Sequence, residues 1–406
     1  MFPHGLFIGL RLFPASAPSS LRWSLSELRR NTVTELTQVC HGTRRCSELS
    51  KLVHRETDDH DNERLKCTQK SQPATLESLR LSSEEVSHYL RHTLGIPSAH
   101  TKLKHDRLGL LQEITLKTHF RQPFQNITNT YAIPLSERKI PSVNEIKEAM
   151  LQGQGGVCYE LNIFTNRLLA ALGYSVHLIG GKFMGHDRYH VTNIVRDAEV
   201  KGQCHLVEVG ASDPTFYPIP LNFGEDSPVY QDSFLVYRFK LIGQKYLQRY
   251  HVIRQGDLDM ALLDDHAHSS NWRLISEMDI DTDCDLEHFK EPMSYVFNAL
   301  PRPKLKMFEE GMFAMIYKEG NMVYIKDNHC YVEKGDSIER RVMDTMEQVL
   351  EAYGQFMPMI PQEKIRMGLG NRNLTFEPLG EEQSVTFHPI ARDDNAVNLS
   401  QTYLTK

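Results

Sequence analysis

The chain has 406 residues, enough for two or three domains, and its 40% hydrophobic and 24% charged residues are ordinary for a soluble globular protein. The net charge of -6, without a basic stripe, argues against a nucleic-acid partner, and no apolar run is long enough to span a membrane. The seven cysteines are widely spaced and form no CxxC pair, which argues against a disulfide framework or a zinc ribbon. Free cysteines indicate a reducing compartment, and we predict a cytoplasmic protein.

The start of the chain differs in composition from the rest. Residues 1–46 contain six arginines, no lysine and only two acidic residues, together with frequent serines. This composition is typical of a mitochondrial transit peptide, and a disordered tail or a mistaken translation start would give the same pattern. Residues 47–78 are polar and typical of a linker. We predict that residues 1–78 are a disordered extension and linker, with a mitochondrial location as the alternative to the cytoplasm.

A helical pattern follows over residues 79–173. One helix is predicted from Ser82, where Ser and Glu stand at the positions of a capping box, and a second over 106–120. The stretch FQNITNTYAIPL is typical of a loop with a short strand, and a third helix is predicted over 142–152. A fourth helix runs on from Cys158, with leucines and a phenylalanine at helical spacing.

The pattern changes to β structure over residues 174–275. The segments YSVHLIGGKF, YHVTNIV, CHLVEVG and SFLVYRF place β-branched and aromatic residues between turn signals. Residues 276–370 combine further strands with a closing helix predicted over 339–356, and the polar residues 371–406 are predicted to be a mobile tail. The order predicts an α+β protein with an N-terminal helical bundle, a central β domain and a C-terminal α/β part.

A lone thiol stands where a loop becomes a helix, in the stretch GQGGVCYELNIF. The thiolate is the nucleophilic form of cysteine, and a helix N-terminus directs unpaired N–H groups and positive potential towards Cys158. The glycines before it allow a substrate to approach closely. The competing interpretation is that Cys158 is a small buried residue closing a tight turn.

Two partners for this thiol are found on neighbouring predicted strands. His190 lies in YHVTNIV, and Glu208 lies in CHLVEVG between two valines. A carboxylate flanked by apolar residues is costly to bury unless it is paired, and a histidine on the next strand is a natural partner. A histidine with an orienting acid is what a cysteine nucleophile needs for activation. Separately, His190 would be a satisfied core histidine and Glu208 a surface residue; the order Cys, His, acid favours a catalytic triad.

These motifs resemble the arylamine N-acetyltransferase family. The resemblance rests on GGVCYELN, on GGKF at 180–183, on the histidine that opens an apolar strand, on LVEVG, and on FQNI at 124–127. It implies a cysteine-proteinase-like core, similar to papain and transglutaminases, with a β-barrel-like central domain and an α/β lid. It also implies an enzyme of the EC 2.3.1 type that uses acetyl-CoA as co-substrate, without a metal, and acetylates an aromatic amine or hydrazine.

The resemblance assigns roles to individual residues. Cys158 would carry the acetyl group as a thioester in a ping-pong reaction, His190 would be the base and proton shuttle, and Glu208 would orient His190. The substrate- and CoA-binding residues would be Phe124, Tyr159, Phe183, Tyr189, Gly210 and Ser212. Among them, the aromatic residues at 124 and 183 match the acceptor pocket, and the N–H of residue 159 is a candidate for the oxyanion site.

The chain departs from the family pattern at several of these places. The family has Asp at the position of Glu208, and an aromatic residue where this chain has Ala211, which would enlarge or reshape the acceptor pocket. Ser212 adds a side chain where the family's backbone would approach the pyrophosphate of CoA. A family ion pair is neutral here, with Gln125 and Gln154 at the two positions, and we predict a hydrogen bond between the two glutamine side chains.

Three alternatives to this function stay open at this point. The chain would be an inactive relative that acts as a binding or scaffold module, a transferase for another acyl-CoA or acceptor, or a thiol hydrolase of the papain or transglutaminase type. Metal binding is not predicted: DIDTDCD at 279–285 lacks the glycine and the final glutamate of an EF-hand, and His186 and His190 lack an HExxH motif.

Overall fold

A computed structural model describes residues 76–252, 272–298, 311–335 and 337–372, positions 374 and 376, and the strand Val385–Phe387. All of these belong to one compact unit, Gln72–Lys406. The predicted extension and linker therefore lie outside the described residues, apart from the short helical turn Leu76–Ser78. The domain boundaries drawn from the sequence stay predictions.

Helices dominate the described chain up to Ala171, before the first long strand, and they return near its end. Within the described residues the α-helices are α1 (Ser83–His88), α2 (Ala99–His105), α3 (Arg107–Arg121), α4 (Val143–Leu151), α5 (Cys158–Ala171), α6 (Leu286–Asn298), α7 (Met346–Phe356) and α8 (Gln362–Arg372). Single turns of π-helix at Tyr89–Thr93 and Ile127–Tyr131 add to the N-terminal part.

Local capping explains where the helices of the N-terminal part begin. Ser82 and Ser142 each form a capping box with the glutamate three residues later, which satisfies two main-chain N–H groups that the helix leaves without a partner. Asp106 caps α3 through a bond from the Gly109 N–H of 2.9 Å. The predicted start at Ser82 is thereby confirmed, and the predicted helices over 106–120 and 142–152 are confirmed to within one residue.

The strands form two antiparallel sheets. They are β1 (Phe124–Gln125), β2 (Ser175–Phe183), β3 (His186–Arg196), β4 (Cys204–Val207), β5 (Ile219–Pro220), β6 (Tyr230–Asp232), β7 (Leu235–Ile242), β8 (Tyr246–Val252), β9 (Trp272–Asp279), β10 (Phe313–Lys318), β11 (Asn321–Lys326), β12 (His329–Lys334), β13 (Ser337–Val342) and β14 (Val385–Phe387). The first sheet has the order β5-β4-β3-β2-β9-β8-β7-β6 and the second the order β1-β10-β11-β12-β13-β14.

The first sheet curls into a half-barrel, and the second packs beside it. The edge strand of the second sheet, β1, comes from the helical part of the chain and pairs with β10, where Phe124 lies opposite Met315. One face of the second sheet is covered by α7 and α8 through a separate apolar core. The other face contributes Met315 and Tyr317 to the core of the half-barrel. The α+β fold class and the cysteine-proteinase-like core predicted from the sequence are confirmed.

Helix α5 is the central element of the largest core. Eleven of its 14 residues are buried, among them Leu161, Phe164 and Leu168. It packs against both β2 and β3. A helix enclosed on nearly every side has little freedom to move, because protein interiors are packed as densely as organic crystals. The first residue of α5, Cys158, is consequently held in a fixed position relative to the half-barrel.

The C-terminal part of the fold differs from expectation in two places, and one of them is Val385–Phe387, which pairs with β13 as a strand inside the segment predicted to be a mobile tail. The helix predicted over 339–356 is wrong in its first third, because Ser337–Val342 is a strand paired with β12, and the helix begins only at Met346 with Thr345 as its cap. The alternation of buried Ile338 with exposed Glu339 is a strand period that the helical pattern downstream obscured.

Candidate active site

The thiol of Cys158 lies at the first position of α5 and is 5% exposed. The main-chain N–H of Val157 donates to the Glu160 carboxylate at 2.8 Å, which closes the turn that leads into the helix. Gly155 precedes it with a φ of 69°, and a Cβ there would overlap the carbonyl oxygen of Pro123. Glycine is therefore required at 155 by the tight backbone packing beneath the nucleophile.

His190 and Glu208 are brought together by adjacent strands. His190 lies in β3, and Glu208 is the first residue after β4, which pairs with β3 from Asn193 opposite Val207 onwards. The Nε2 of His190 is hydrogen bonded to Oε2 of Glu208. Both residues are more than nine-tenths buried. The second ring nitrogen, Nδ1, is then the one left to face Cys158, whose sulfur lies 4.0 Å from the carbonyl oxygen of the neighbouring Tyr189.

The electrostatics of this pair favour a charged imidazole. Burial alone would lower the pKa of His190, but the negative charge of Glu208, together with hydrogen bonds to Cys158 and Glu208, raises it to about 10. Burial alone would raise the pKa of Glu208, but the positive charge of His190 and hydrogen bonds from His190, Asn162 and Gly210 lower it to about 2. At neutral pH the buried pair is an imidazolium and a carboxylate.

The carboxylate of Glu208 has two further donors on its other oxygen. Asn162 Nδ2 donates to Oε1 at 2.9 Å, and the main-chain N–H of Gly210 donates to it at 2.8 Å. Gly210 has no room for a side chain, since a Cβ would meet Asn162 and the backbone of Cys158. With both oxygens occupied, the carboxylate is held in one orientation towards His190.

Asn162 is a residue of the site that the sequence did not predict. Its amide also donates to the Val191 carbonyl at 2.8 Å, and its oxygen accepts from the Val209 N–H at 3.2 Å. Asn162 thus joins the helix that begins at Cys158 to the strand of His190 and to the segment that follows Glu208. The available signal was its spacing, because a residue four positions after Cys158 lies on the same face of a helix.

The predicted aromatic residues lie in two places around the thiol. Phe124 stacks on Phe313 with ring centroids 5.7 Å apart, and Phe183 lies 5.8 Å from the ring of His190. Tyr189 is 6% exposed and packs edge-on against His186 at 5.6 Å. Only Phe183 is in ring contact with His190, while Phe124 reaches the loop before Cys158 through its bridge to Gly156, and the contact of all three rings with an acceptor stays a prediction.

Tyr159 has a different position from these rings. Its side chain is fully buried, packs towards Phe289 and Phe297 of α6, and donates its hydroxyl to the Arg188 carbonyl at 3.0 Å. The ring is thus part of the core. The main-chain N–H of Tyr159 belongs to the first turn of α5, where N–H groups have no intrahelical acceptor. This N–H is the part of the residue suited to an oxyanion.

The loop that follows Glu208 replaces the aromatic turn of the family pattern. Ala211 is 9% exposed, and Ser212 is half-buried. The carbonyl of Ser212 accepts from the hydroxyl of Tyr317 at 2.7 Å. The second sheet therefore contacts the loop that follows Glu208.

The predicted bond between two glutamine side chains is wrong. Gln125 Nε2 donates to the main-chain oxygen of Gln154 at 3.2 Å and to Thr128 Oγ1 at 2.7 Å, while Gln154 turns its own amide to Gln152 at 2.6 Å. Gln154 lies at the surface, so its side chain has no need of the buried partner. The neutral Gln125 still holds the loop before Cys158, through that loop's backbone.

A second buried polar group lies beyond the acid. Asp213, Arg249 and His251 are each at most 5% exposed, and Asp213 Oδ2 is 3.8 Å from His251 Nε2. Burial raises the pKa of Asp213 against the opposing charges of Arg249 and His190. Arg249 spans to the loop, donating from Nη2 to the Pro214 carbonyl at 3.0 Å. The sequence did not predict this cluster, because Asp213 lies more than 30 positions before Arg249 and His251 in the chain.

Neither a metal site nor a membrane span is found in the described part of the chain. Its His, Cys, Asp and Glu residues form no group of three suited to hold a metal ion. Its helices include none that is long and apolar enough to cross a membrane.

Comparison with known proteins identifies the family. A family model described as N-acetyltransferase matches residues 107–353, more than half of the chain, and includes all three residues of the Cys158, His190 and Glu208 group. The chain belongs to the arylamine N-acetyltransferase family. The family and the enzyme class predicted from the sequence, a transferase of the EC 2.3.1 type, are confirmed.

Solved arylamine N-acetyltransferases share the fold at low sequence identity. The Mycobacterium marinum enzyme in complex with CoA is 17% identical, with 68% of this chain and 98% of that chain covered and a TM-score of 0.52. The Salmonella typhimurium enzyme is 14% identical over 72% and 99%, also with a TM-score of 0.52. The M. smegmatis enzyme is 20% identical over 67% and 91%, with a TM-score of 0.51.

One curated relative matches a shorter stretch. Proansamycin X synthase from Amycolatopsis mediterranei (strain S699) is 38% identical over 74 residues, which are 17% of this chain and 27% of that protein. The match spans about a quarter of the relative's length and supports common ancestry of this segment.

Proposed function

We propose that this arylamine N-acetyltransferase family member transfers an acetyl group from acetyl-CoA, through a thioester on Cys158, to an arylamine or hydrazine. The observation that carries the proposal is the placement of Cys158 at the start of α5 beside His190, whose Nε2 is hydrogen bonded to the carboxylate of Glu208. A thiol, a base within reach and an orienting acid are the parts that a covalent acyl transfer requires.

In the first half-reaction, the Cys158 sulfur attacks the carbonyl carbon of acetyl-CoA after its proton has passed to Nδ1 of His190. The resulting oxyanion is stabilised by the first-turn N–H groups of α5, that of Tyr159 among them. The intermediate then breaks its bond to the CoA sulfur, and the imidazolium returns a proton to that sulfur as CoA leaves. The acetyl group stays on Cys158.

In the second half-reaction, an amine nitrogen attacks the thioester carbon. His190 takes a proton from that nitrogen, and the Cys158 sulfur leaves. Glu208 takes no proton in either half-reaction. Its charge stabilises the imidazolium, and its hydrogen bond keeps the ring turned towards the thiol.

The first test uses acetyl-CoA without an acceptor and the intact mass of the protein. The expected result is a gain of one acetyl unit in the wild type and no gain in Cys158→Ala. A series of aromatic amines and hydrazines, added to the acylated protein, should then remove the adduct at rates that identify the acceptor class. A folded wild-type protein that gains no acyl unit from any acyl-CoA contradicts the proposal and favours a scaffold role.

A second candidate is the same transfer with another acyl group or acceptor. Ala211 stands where the family has an aromatic residue, and its small side chain leaves more room beside Glu208. The match to a protein named proansamycin X synthase is a further reason to include acceptors other than arylamines. Adducts formed from malonyl- or propionyl-CoA, with none from acetyl-CoA, favour this second candidate.

A further inference from the structure

A buried histidine joins the two ends of the loop that carries the catalytic acid. We call residues 208–215 the acid loop. His119 of α3 is 4% exposed, and its Nε2 lies 3.1 Å from the carbonyl oxygen of Glu208 and 3.1 Å from that of Thr215. Both partners accept hydrogen bonds only, so Nε2 carries the proton and donates to both. Burial lowers the pKa of His119 to about 4, so the ring is neutral at physiological pH.

Two more side chains hold the acid loop between these ends. Tyr317 of β10 donates to the Ser212 carbonyl at 2.7 Å, and Arg249 of β8 donates to the Pro214 carbonyl at 3.0 Å. The acid loop is thus held through carbonyl oxygens by a helix, the second sheet and the half-barrel. Such anchoring does not depend on the side chains of the loop itself.

The anchors contact one another as well as the loop. The ring of His119 packs edge-on against Tyr317 at 6.0 Å and against Phe216, the residue after the loop, at 5.6 Å. Tyr317 and Phe216 are edge-on at 5.1 Å. Displacing His119 would therefore disturb both ends of the loop at once.

We infer that His119 is a positioning residue for acyl transfer: by bonding the Glu208 carbonyl, it sets where the acid's backbone lies and so where its carboxylate meets His190. The inference rests on the proposed function. Its physical basis is that glutamate has one more methylene than the aspartate of the family pattern, and each added rotatable bond needs a firmer backbone to keep the carboxylate aligned. Gly210 within the loop supplies no side chain that could provide this firmness.

The test compares two substitutions of His119. His119→Phe keeps a ring of similar size without an N–H, and His119→Gln places an amide N–H near the position of Nε2. Each variant is treated with iodoacetamide from pH 5 to pH 9, and the alkylation rate of the Cys158 peptide is followed by mass spectrometry. The acylation rate with acetyl-CoA is measured in parallel, and thermal melting reports whether each variant is folded.

We expect His119→Phe to slow alkylation of Cys158 at pH 6 by about tenfold and to change the pH profile of the alkylation rate. The factor corresponds to the loss of one or two buried hydrogen bonds. His119→Gln should stay within about threefold of the wild type. A purely structural role would lower the melting temperature of both variants without changing the pH profile of the alkylation rate. A wild-type profile in folded His119→Phe overturns the inference. Equal slowing of alkylation in His119→Gln and His119→Phe overturns it as well.

Tyr317→Phe provides a second route if His119→Phe fails to fold. It removes one hydroxyl from the same anchor and should slow alkylation about threefold, whereas Tyr324→Phe, on the same face of the neighbouring strand, should have no effect. Equal rates in these two variants also contradict the inference. A wild type that is alkylated faster than His119→Phe but takes no acetyl group refutes the proposed function and leaves the positioning role standing.

Discussion

Replacing Glu208 with glutamine tests the central pair most directly, because it removes the charge and keeps the shape. Oε1 of the carboxylate accepts from Asn162 and from the Gly210 N–H, and Oε2 is bonded to His190. A glutamine has one oxygen and one NH₂ group for these two places. Because the two donors at the Oε1 position need an acceptor, the oxygen of the glutamine faces them and its NH₂ group faces Nε2 of His190. That nitrogen must then accept, so the ring loses its Nε2 proton, and the one proton that it keeps lies on Nδ1, on the side of the thiol.

The magnitude follows from the pKa of His190, which is about 10 instead of the ordinary 6.5. This difference corresponds to about 5 kcal/mol in favour of the imidazolium, and it is what remains after the favourable charges and hydrogen bonds of Glu208 and Cys158 have offset the penalty of burial. A positioned general base is ordinarily worth about 10²–10⁴ in rate. A tautomer error in a comparable triad costs about 10⁴. We therefore expect acylation to slow by at least about tenfold, and within about 10²–10⁴ if the wrong tautomer predominates.

The assay is a single-turnover acylation with acetyl-CoA, quenched in time and read as intact mass. Glu208→Asp is the matched control, since it keeps the charge, shortens the side chain by one methylene and installs the acid of the family pattern. We expect it to lose less activity than Glu208→Gln. If folded Glu208→Gln acylates within about threefold of the wild type, Glu208 takes no part in the mechanism and the reasoning from hydrogen-bond donors is refuted.

Three further predictions concern the loop before the thiol, the support of the acid, and pH. Gln125→Glu should lower the free energy of unfolding, measured in urea, by about 3 kcal/mol, because it buries a charge against the Gln154 carbonyl. Adding Gln154→Arg should recover at least half of this loss, and additive effects of the two substitutions would contradict the prediction. Asn162→Leu should slow acylation at least about tenfold, and an unchanged rate would remove Asn162 from the support of Glu208. The stability contributed by His190 should be full below pH 6.5 and lost as the pH rises through about 10, while that of Glu208 should be full above pH 4.5 and lost as the pH falls through about 2. The free energy of unfolding of the wild type minus that of Glu208→Gln should therefore be largest between these limits, and a difference independent of pH would speak against the charged pair.

The loop before Cys158 is held by a neutral side chain. Gln125 is 1% exposed, and its amide donates to the main-chain oxygen of Gln154 and to the hydroxyl of Thr128. A lone charge at such a site would be strongly destabilising, which favours a neutral residue at position 125. The neutral arrangement keeps the loop before Cys158 in place without a contribution from salt-sensitive electrostatics.

Local signals in the sequence were sufficient for much of the fold. The capping boxes at Ser82 and Ser142, the helix that starts at Cys158, and the strands that carry His190 and lead to Glu208 could all be predicted. Each depends on residues within a few positions of one another, and such short-range patterns are visible in the chain itself. The residue types at 158, 190 and 208 also predict a nucleophile, a base and an acid, and these roles stay predictions.

The support of the triad was decided only by the tertiary structure. His119 lies 89 positions before Glu208, and Tyr317 lies 105 positions after Ser212, yet both bond the acid loop. The strand at Ser337–Val342 was likewise mistaken for helix, because its pairing with β12 outweighs the local pattern. Hydrogen bonds between distant elements leave no periodicity in a sequence, since they depend on how helices and sheets pack and not on the spacing of residues along the chain.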